Sequence, residues 1–261
     1  MNDNYMVRYV DMDGNINVRE VLQRMRMIPF AGTKFMFDRI FSIFFLIILS
    51  PLMLIISILI KIDSKGPVLF KQVRTGKRGK NFNVYKFRTM VASNDVHDFS
   101  KGDEHTKIGK LLRKTSLDEL PQLISIATGK MSFIGPRPWI PDYYENMNDI
   151  ERHRYCVRPG LTGLAQANGR NAISIHDKIK YDLKYIKNYS LKQDIKVVFL
   201  TIKAVFTGSG ADAGKGGIEK DLKDLRKGNK NRAASNVNNL APNFLYKEKN
   251  WYESFNDSTK N

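Results

Sequence analysis

Between Ile40 and Ile60 the chain reads IFSIFFLIILSPLMLIISILI, twenty-one residues without a charge, and nothing else in the sequence limits the fold as tightly. Wound as a helix at about 1.5 Å per residue it measures roughly 31 Å, the thickness of one bilayer core. Pro51 sits at its midpoint. A proline there removes one helical hydrogen bond, at a cost of ~3 kcal/mol, and leaves the carbonyl of Ile47 without its donor. The hydroxyl of Ser50 can return to that carbonyl. Basic residues flank both ends: six Lys or Arg in residues 1–39 and nine in residues 61–90, where Asp63 is the only acid. Positive charge marks the cytoplasmic side of a membrane segment, and here it marks both ends. Residue physics alone leaves two topologies open: a helix that spans, or a helix-break-helix over 34–61 with arms of about 15 Å that enters and leaves on one face.

The remainder is ordinary in size. A chain of 261 residues, 42% hydrophobic and 11% aromatic, holds one domain with appendages and excludes wholesale disorder. The net charge of +17 calls for an anionic partner, whether nucleic acid, anionic lipid or a phosphorylated substrate. One cysteine, Cys156, excludes a disulfide framework and points to a reducing cytoplasm. Residues 1–33 form a polar extension with no pattern of a removable secretion signal. After Gly66-Pro67, VLFKQVR and NFNVYKFR flank the basic turn TGKRGK, which predicts a small β-hairpin. Residues 91–106 read as loop. Helical periodicity returns at 107–114, 121–128, 175–189 and 191–206, and the apolar stripe of the last is expected to pack in the core. From 207 to 261 the chain is rich in Gly, Asn, Lys and Ser, and only IEKDLKDLRK is helical in pattern. This stretch reads as a mostly disordered tail, dispensable for chemistry.

The stretch LLRKTSLDELPQL places Asp118 and Glu119 just before Pro121 and just after Arg113 and Lys114. Proline is tolerated in a first helical turn, so a helix should begin near Asp118, whose carboxylate either caps it or stays ionised there for metal binding or nucleophilic attack. Arginines recur in rigid settings: Arg137 between prolines in GPRP, Arg158 in RPGLTG and Arg170 in NGR. A guanidinium on a stiff backbone grips an oxyanion with little entropy to lose. Together with Arg113 and a carboxylate pair beside a membrane segment, these residues suggest a diphosphate site.

From about Lys34 to Phe206 the chain resembles the monotopic bacterial sugar transferases, the polyprenyl-phosphate phosphoglycosyl transferases of small catalytic-module type. The likeness runs in order through FDRIF, the Ser-Pro-broken apolar segment, GPVLFKQVRTGKRG, YKFRTM, LRKTSLDELPQL, GKMSFIGPRP and VRPGLTGLAQANGRN. The resemblance implies an α+β, mainly helical fold with a re-entrant membrane helix, interfacial amphipathic helices and a small hairpin. It favours the re-entrant topology, with a phosphoglycosyl transferase domain at 62–206 on the cytoplasmic face of the bacterial inner membrane. The implied reaction moves a sugar 1-phosphate from a UDP-sugar to undecaprenyl or another polyprenyl phosphate through a covalent aspartyl phosphosugar, releasing UMP. By motif, Asp118 is then nucleophile and Mg²⁺ ligand, Glu119 its catalytic partner, and Arg113, Arg137 and Arg170 the phosphate-binding arginines. Expected partners are the donor, the acceptor and membrane lipid, with downstream glycosyltransferases as further candidates and no nucleic acid. Two other classes stand beside this reading: a membrane-tethered nucleic-acid-binding protein, suggested by charge and by the aromatic-basic NFNVYKFR, and a non-catalytic assembly scaffold. Neither gives the acidic pair a purpose.

Overall fold

The computed structural model describes residues 29–91, 105–169, 172–207 and 218–236. In chain order the elements are α1 (Pro29–Asp63), β1 (Leu69–Thr75), β2 (Asn81–Phe87), α2 (Lys107–Thr115), a 3₁₀ segment (Leu117–Gln122), α3 (Leu123–Ala127), β3 (Ser132–Ile134), α4 (Pro141–Glu145), α5 (Asp149–Arg152), β4 (Gly160–Thr162), α6 (Leu164–Ala167), α7 (Ile175–Lys187), α8 (Leu191–Phe206) and α9 (Ile218–Asn236). Short 3₁₀ turns also occur at Lys77–Gly79 and His153–Tyr155. The fold is mostly helical with little sheet. The hairpin forms as expected, β1 and β2 pairing antiparallel from Leu69↔Phe87 to Thr75↔Asn81. A second pair, β3 with β4, is parallel and joins Ser132 to Gly160 and Ile134 to Thr162. Strands of three residues carry no readable alternation, so no local pattern marks them.

The apolar segment lies within one helix of 35 residues, α1, whose helical run continues through Pro51. Ser50 Oγ donates to the Ile47 carbonyl at 2.8 Å, so the hydroxyl supplies the donor that proline withdraws. The break expected at Ser50-Pro51 is thus a lost bond made good, without an end to the helix. Lys34, Asp38, Ser42, Ile56 and Ile60 are buried, and Leu46, Leu49 and Met53 pack between them on the domain. These positions recur every three or four residues, which draws one stripe along the helix from end to end. The opposite surface, including Phe41, Ile47, Leu54 and Ile58, is exposed and apolar.

Polar contacts fasten the stripe at both ends. Lys34 Nζ lies 2.6 Å from Asp194 Oδ2, Ser132 Oγ donates to Asp38 Oδ2 at 2.6 Å, and Tyr185 Oη donates to Asp194 Oδ1 at 2.7 Å. Beyond the far end the buried Arg88 donates to the carbonyls of Ser64, Lys65 and Pro67 at 2.9, 3.0 and 2.7 Å. Asp63 accepts from the backbone of Ile108 at 3.0 Å, tying the end of α1 to the start of α2.

The main core gathers Trp139, Tyr143, Tyr155, Tyr185, Val197 and the α7 stripe Ile175, Ile179, Leu183 and Ile186. One expectation fails here. The α8 stripe of Leu191, Ile195, Val198, Phe199, Ile202 and Val205 is exposed, and Val197 and Ala204 turn inward instead. The helix carries a second, smaller apolar set in Val197, Leu200 and Ala204, and it is this set that faces the domain, so the longer stripe does not mark the buried side. Thr201, hydrogen-bonded to Thr162 at 2.9 Å, and Asp194, paired with Lys34, fix the other rotation. Past residue 207 the IEKDLKDLRK pattern, helical as expected, lies in a docked helix, α9, with Leu225 wholly buried and Ile218 and Leu222 against the same core. Three apolar residues at helical spacing suffice for one-sided docking although the segment is poor in apolar residues.

Through this core runs a buried ion pair: Arg154 and Asp182 are each 1% exposed, with Nη2 to Oδ2 at 2.7 Å and the guanidinium 3.6 Å above the Trp139 ring. Replacing Asp182 by Ala strands the arginine charge and should lower unfolding stability by about 3–5 kcal/mol, read by denaturation in detergent. A loss below about 1 kcal/mol would show that the Trp139 ring alone accommodates the cation.

Candidate active site

Helix α2 is N-capped by Thr106, whose Oγ1 accepts from the Gly109 N–H at 3.0 Å, and it ends on Ser116 at φ 58°, in the left-handed region. The chain turns there and enters the 3₁₀ segment with Asp118 and Glu119 in its first turn. Pro121 is accepted because the segment is short and tightly wound. Asp118 therefore stands at a helix start, as read from the sequence, but its side chain does not cap the helix.

The two neighbouring carboxylates have different surroundings. Glu119 Oε1 accepts from Lys86 Nζ and from Arg137 Nη2, both at 2.6 Å, while Oε2 faces Arg137 Nη1 at 3.4 Å. Burial alone would raise its proton affinity, but Arg137 and Lys86 more than offset this and hold the carboxyl well below the usual glutamate range. Asp118 has no hydrogen-bond partner among the described residues, and burial pushes its pKa up against the pull of Lys86. The pair therefore combines a clamped, more acidic glutamate with a loosely held, more basic aspartate.

Arg137 owes its position to main-chain geometry. Gly135 N donates to Thr162 O and Gly160 N to Pro136 O, both at 2.9 Å. A Cβ on Gly160 would lie 2.1 Å from Gly135 N, and one on Gly163 2.1 Å from Gly135 O. The GPRP and PGLTG motifs thus touch backbone to backbone. The loop is gripped further on: Arg154 Nη2 donates to the Arg137 carbonyl at 2.8 Å, Arg74 Nη1 to that of Pro138 at 3.4 Å, and the Thr75 N–H to that of Trp139 at 2.8 Å.

Of the sequence-derived candidates, Asp118, Glu119 and Arg137 come together in one site. Arg113 contributes its charge to Asp118, while its guanidinium contacts His105. Arg170 lies outside the described residues. Arg158 is engaged in structure, with Nε donating to the Gly129 carbonyl at 2.9 Å and its guanidinium 3.9 Å from the Phe35 ring centre. Sequence reasoning missed Lys86 and Arg74. Lys86 lies on the strand face of Phe82 and Val84, and Arg74 pairs with Phe82 across the hairpin on that same face. A lysine on an inward-facing strand position was the available signal.

No group of three or more His, Cys, Asp or Glu gathers as a metal site among the described residues. Mg²⁺ does not require one, since it keeps several waters and commonly takes one or two carboxylates alongside substrate phosphate. Asp118, unengaged among the described residues, suits that demand better than Glu119, whose oxygens already face Lys86 and Arg137.

A family model described as bacterial sugar transferase matches residues 30–208. The uncharacterized sugar transferase EpsL of Bacillus subtilis (strain 168) is 42% identical over 179 residues, covering 68% of this chain and 89% of EpsL. The UDP-glucose:undecaprenyl-phosphate glucose-1-phosphate transferase of Klebsiella pneumoniae is 42% identical over 199 residues, which are 70% of this chain and 43% of that protein. The UDP-N-acetylgalactosamine-undecaprenyl-phosphate N-acetylgalactosaminephosphotransferase of Aeromonas hydrophila is 43% identical over 172 residues, 62% of this chain and 41% of its own length. The match therefore takes in most of EpsL but less than half of the two relatives whose names state a reaction.

The clamped glutamate carries a pH signature. Its folded pKa lies below the unfolded value of about 4.5, so its stabilising contribution is complete above that value and is lost as pH falls through the folded pKa. Glu119→Gln removes the titrating group, and its melting temperature in detergent should fall less than that of the parent between pH 6 and pH 3. Equal acid sensitivity of the two proteins would show that the clamp does not couple to folding.

Proposed function

The chain belongs to the bacterial sugar transferase family, and from that premise we propose that it moves a sugar 1-phosphate from a UDP-sugar to a polyprenyl phosphate, releasing UMP and initiating a polysaccharide or other glycoconjugate. The acceptor named for the Klebsiella and Aeromonas relatives is undecaprenyl phosphate, and we carry it over. The observation that supports this reading best is the division between Asp118 and Glu119: one carboxylate uncommitted and more basic than usual, the other clamped between Lys86 and Arg137.

In the proposed mechanism an Asp118 oxygen attacks the phosphorus that bears the sugar. A carboxylate-to-phosphorus bond forms as the bond from that phosphorus to the bridging oxygen breaks, and UMP departs with the electron pair. Partial burial leaves the Asp118 carboxylate poorly solvated, which raises its basicity and with it its readiness to attack. Arg137 and Lys86, aimed by Glu119, offset the charge of the diphosphate, with Arg113 and Arg170 as further phosphate partners. Mg²⁺ held at Asp118 would supply additional charge compensation for the two phosphates. An oxygen of the polyprenyl phosphate then attacks the same phosphorus, the aspartyl bond breaks, and the products are the polyprenyl diphosphosugar and a regenerated carboxylate.

We further propose that α1 enters and leaves the membrane on the cytoplasmic side. The supporting observation is the continuous stripe from Lys34 to Ile60 against one domain, about 39 Å of helix at 1.5 Å per residue. A helix spanning the bilayer would carry one of those ends away from a domain on a single side. The exposed apolar stripe of α8 then rests against the same leaflet as an interfacial helix.

Release of UMP from a panel of UDP-sugars with polyprenyl phosphate tests the reaction and identifies the sugar. Asp118→Asn should lose turnover by at least about 10³-fold and lose any phosphosugar adduct visible by intact mass, while keeping its melting profile. Near-parental turnover in that variant would remove Asp118 from the chemistry. For topology, single cysteines at positions 5 and 100 in a Cys156→Ser chain should both resist an impermeant thiol reagent in intact cells and both react after lysis. Labelling of the position 5 cysteine alone in intact cells would establish a spanning helix.

A further inference from the structure

Helix α9 lies beyond the end of the family match at residue 208, yet it docks on α7 and on α4, the helix that follows the loop carrying Arg137. Asp221 Oδ2 accepts from Tyr143 Oη at 3.2 Å and lies 3.6 Å from Lys178 Nζ. Arg226 Nε donates to Asn146 Oδ1 at 2.8 Å, and Leu225 is wholly buried. Tyr143 in turn packs its ring on Trp139 with centroids 5.0 Å apart. Trp139 ends the Pro136-Arg137-Pro138 loop, and the guanidinium of Arg154 lies on its ring while donating to the Arg137 carbonyl. An unbroken series of contacts therefore leads from α9 through Tyr143 and Trp139 to the backbone of the arginine that faces Glu119.

Resting on the reading of Arg137 as a diphosphate-binding residue, we propose that α9 is a positioning element of the donor site: it stiffens the Tyr143–Trp139 wall and so fixes the aim of Arg137. The physical reason is one of tolerance. A phosphate-gripping guanidinium acts within a few tenths of an ångström, and its supporting layer decides whether that geometry is held before substrate arrives. The prolines on either side stiffen the loop, the glycine contacts set its root, and α9 packs on the wall through Tyr143 and Leu225. Among the described α9 side chains no hydrogen bond or ion pair reaches the acidic pair, so α9 is given a positioning role and not a catalytic one. Its influence is on binding, and it should be read in KM.

The test uses the full-length chain in detergent, assayed by UMP release with the UDP-sugar that the panel identifies. Tyr143→Phe and Asp221→Ala each remove the hydrogen bond between α9 and the wall, and Leu225→Ala loosens the docking itself. We expect KM for the UDP-sugar to rise roughly 5–20-fold in Leu225→Ala and less in the two polar variants, with kcat within about 3-fold of the parent. Introducing Leu225→Ala into an Arg137→Ala chain should leave KM where Arg137→Ala alone puts it, because the support then has nothing to position. Unchanged KM in all three single variants would overturn the proposal. So would a Leu225→Ala effect that persists undiminished without Arg137, since that marks general loosening of the core. If the parent chain releases no UMP with any UDP-sugar, it is the transferase reading that fails, an outcome distinct from either of these.

Discussion

The fold depends on a long apolar helix, α1, that is bonded, by buried charge, to the domain it lies against. Lys34 and Asp194 are both nearly inaccessible, and taking such ions from water costs several kcal/mol each unless the geometry returns it. Here the return comes from a short ion pair and from hydroxyls of Ser132 and Tyr185 that engage the neighbouring carboxylates. One helix of apolar residues would slide or rotate freely against an apolar surface. A buried pair at one end and the Arg88 fork just past the other give it a register. With α1 fixed, the hairpin and α2 are fixed too, because Arg88 follows β2 and Asp63 holds the first turn of α2.

The site then follows from electrostatics more than from shape. Asp118 and Glu119 share a backbone segment and partial burial, yet their proton affinities move in opposite directions. What separates them is the company each keeps: Glu119 lies against two cations within hydrogen-bonding distance, whereas Asp118 feels the same cations from further away. Two carboxylates given different neighbours acquire opposite proton affinities, a pattern that recurs wherever one fold must run two roles with the same functional group.

Much of this was legible beforehand, for identifiable reasons. The Ser50 bond to Ile47 followed from proline's missing donor alone, and the hairpin from a basic glycine turn between alternating strands. Asp118, Glu119 and Arg137 were visible because unusual backbone neighbours, proline above all, surround them. What escaped notice depended on partners distant in sequence. The outward face of α8 is chosen by Thr162 and Lys34, residues no local pattern in 191–206 contains. Helix α9 finds a wall built by Trp139 and Tyr143, so its three apolar residues gain meaning only beside them. Lys86 was quoted within a motif and still overlooked, since its role arises from a carboxylate 33 positions away.

The contact between Gly135, Gly160 and Gly163 has a consequence of another kind. Each position is occupied by the absence of a side chain, and any methyl group would drive apart two stretches of backbone that meet within van der Waals distance. A survey of random variants would find these positions as intolerant as the acidic pair itself, though none of the three carries a side chain that could bind or react. Intolerance to substitution would there record assembly geometry, and a reader ranking residues by mutational damage alone would mistake the hinge pins of this enzyme for its working parts.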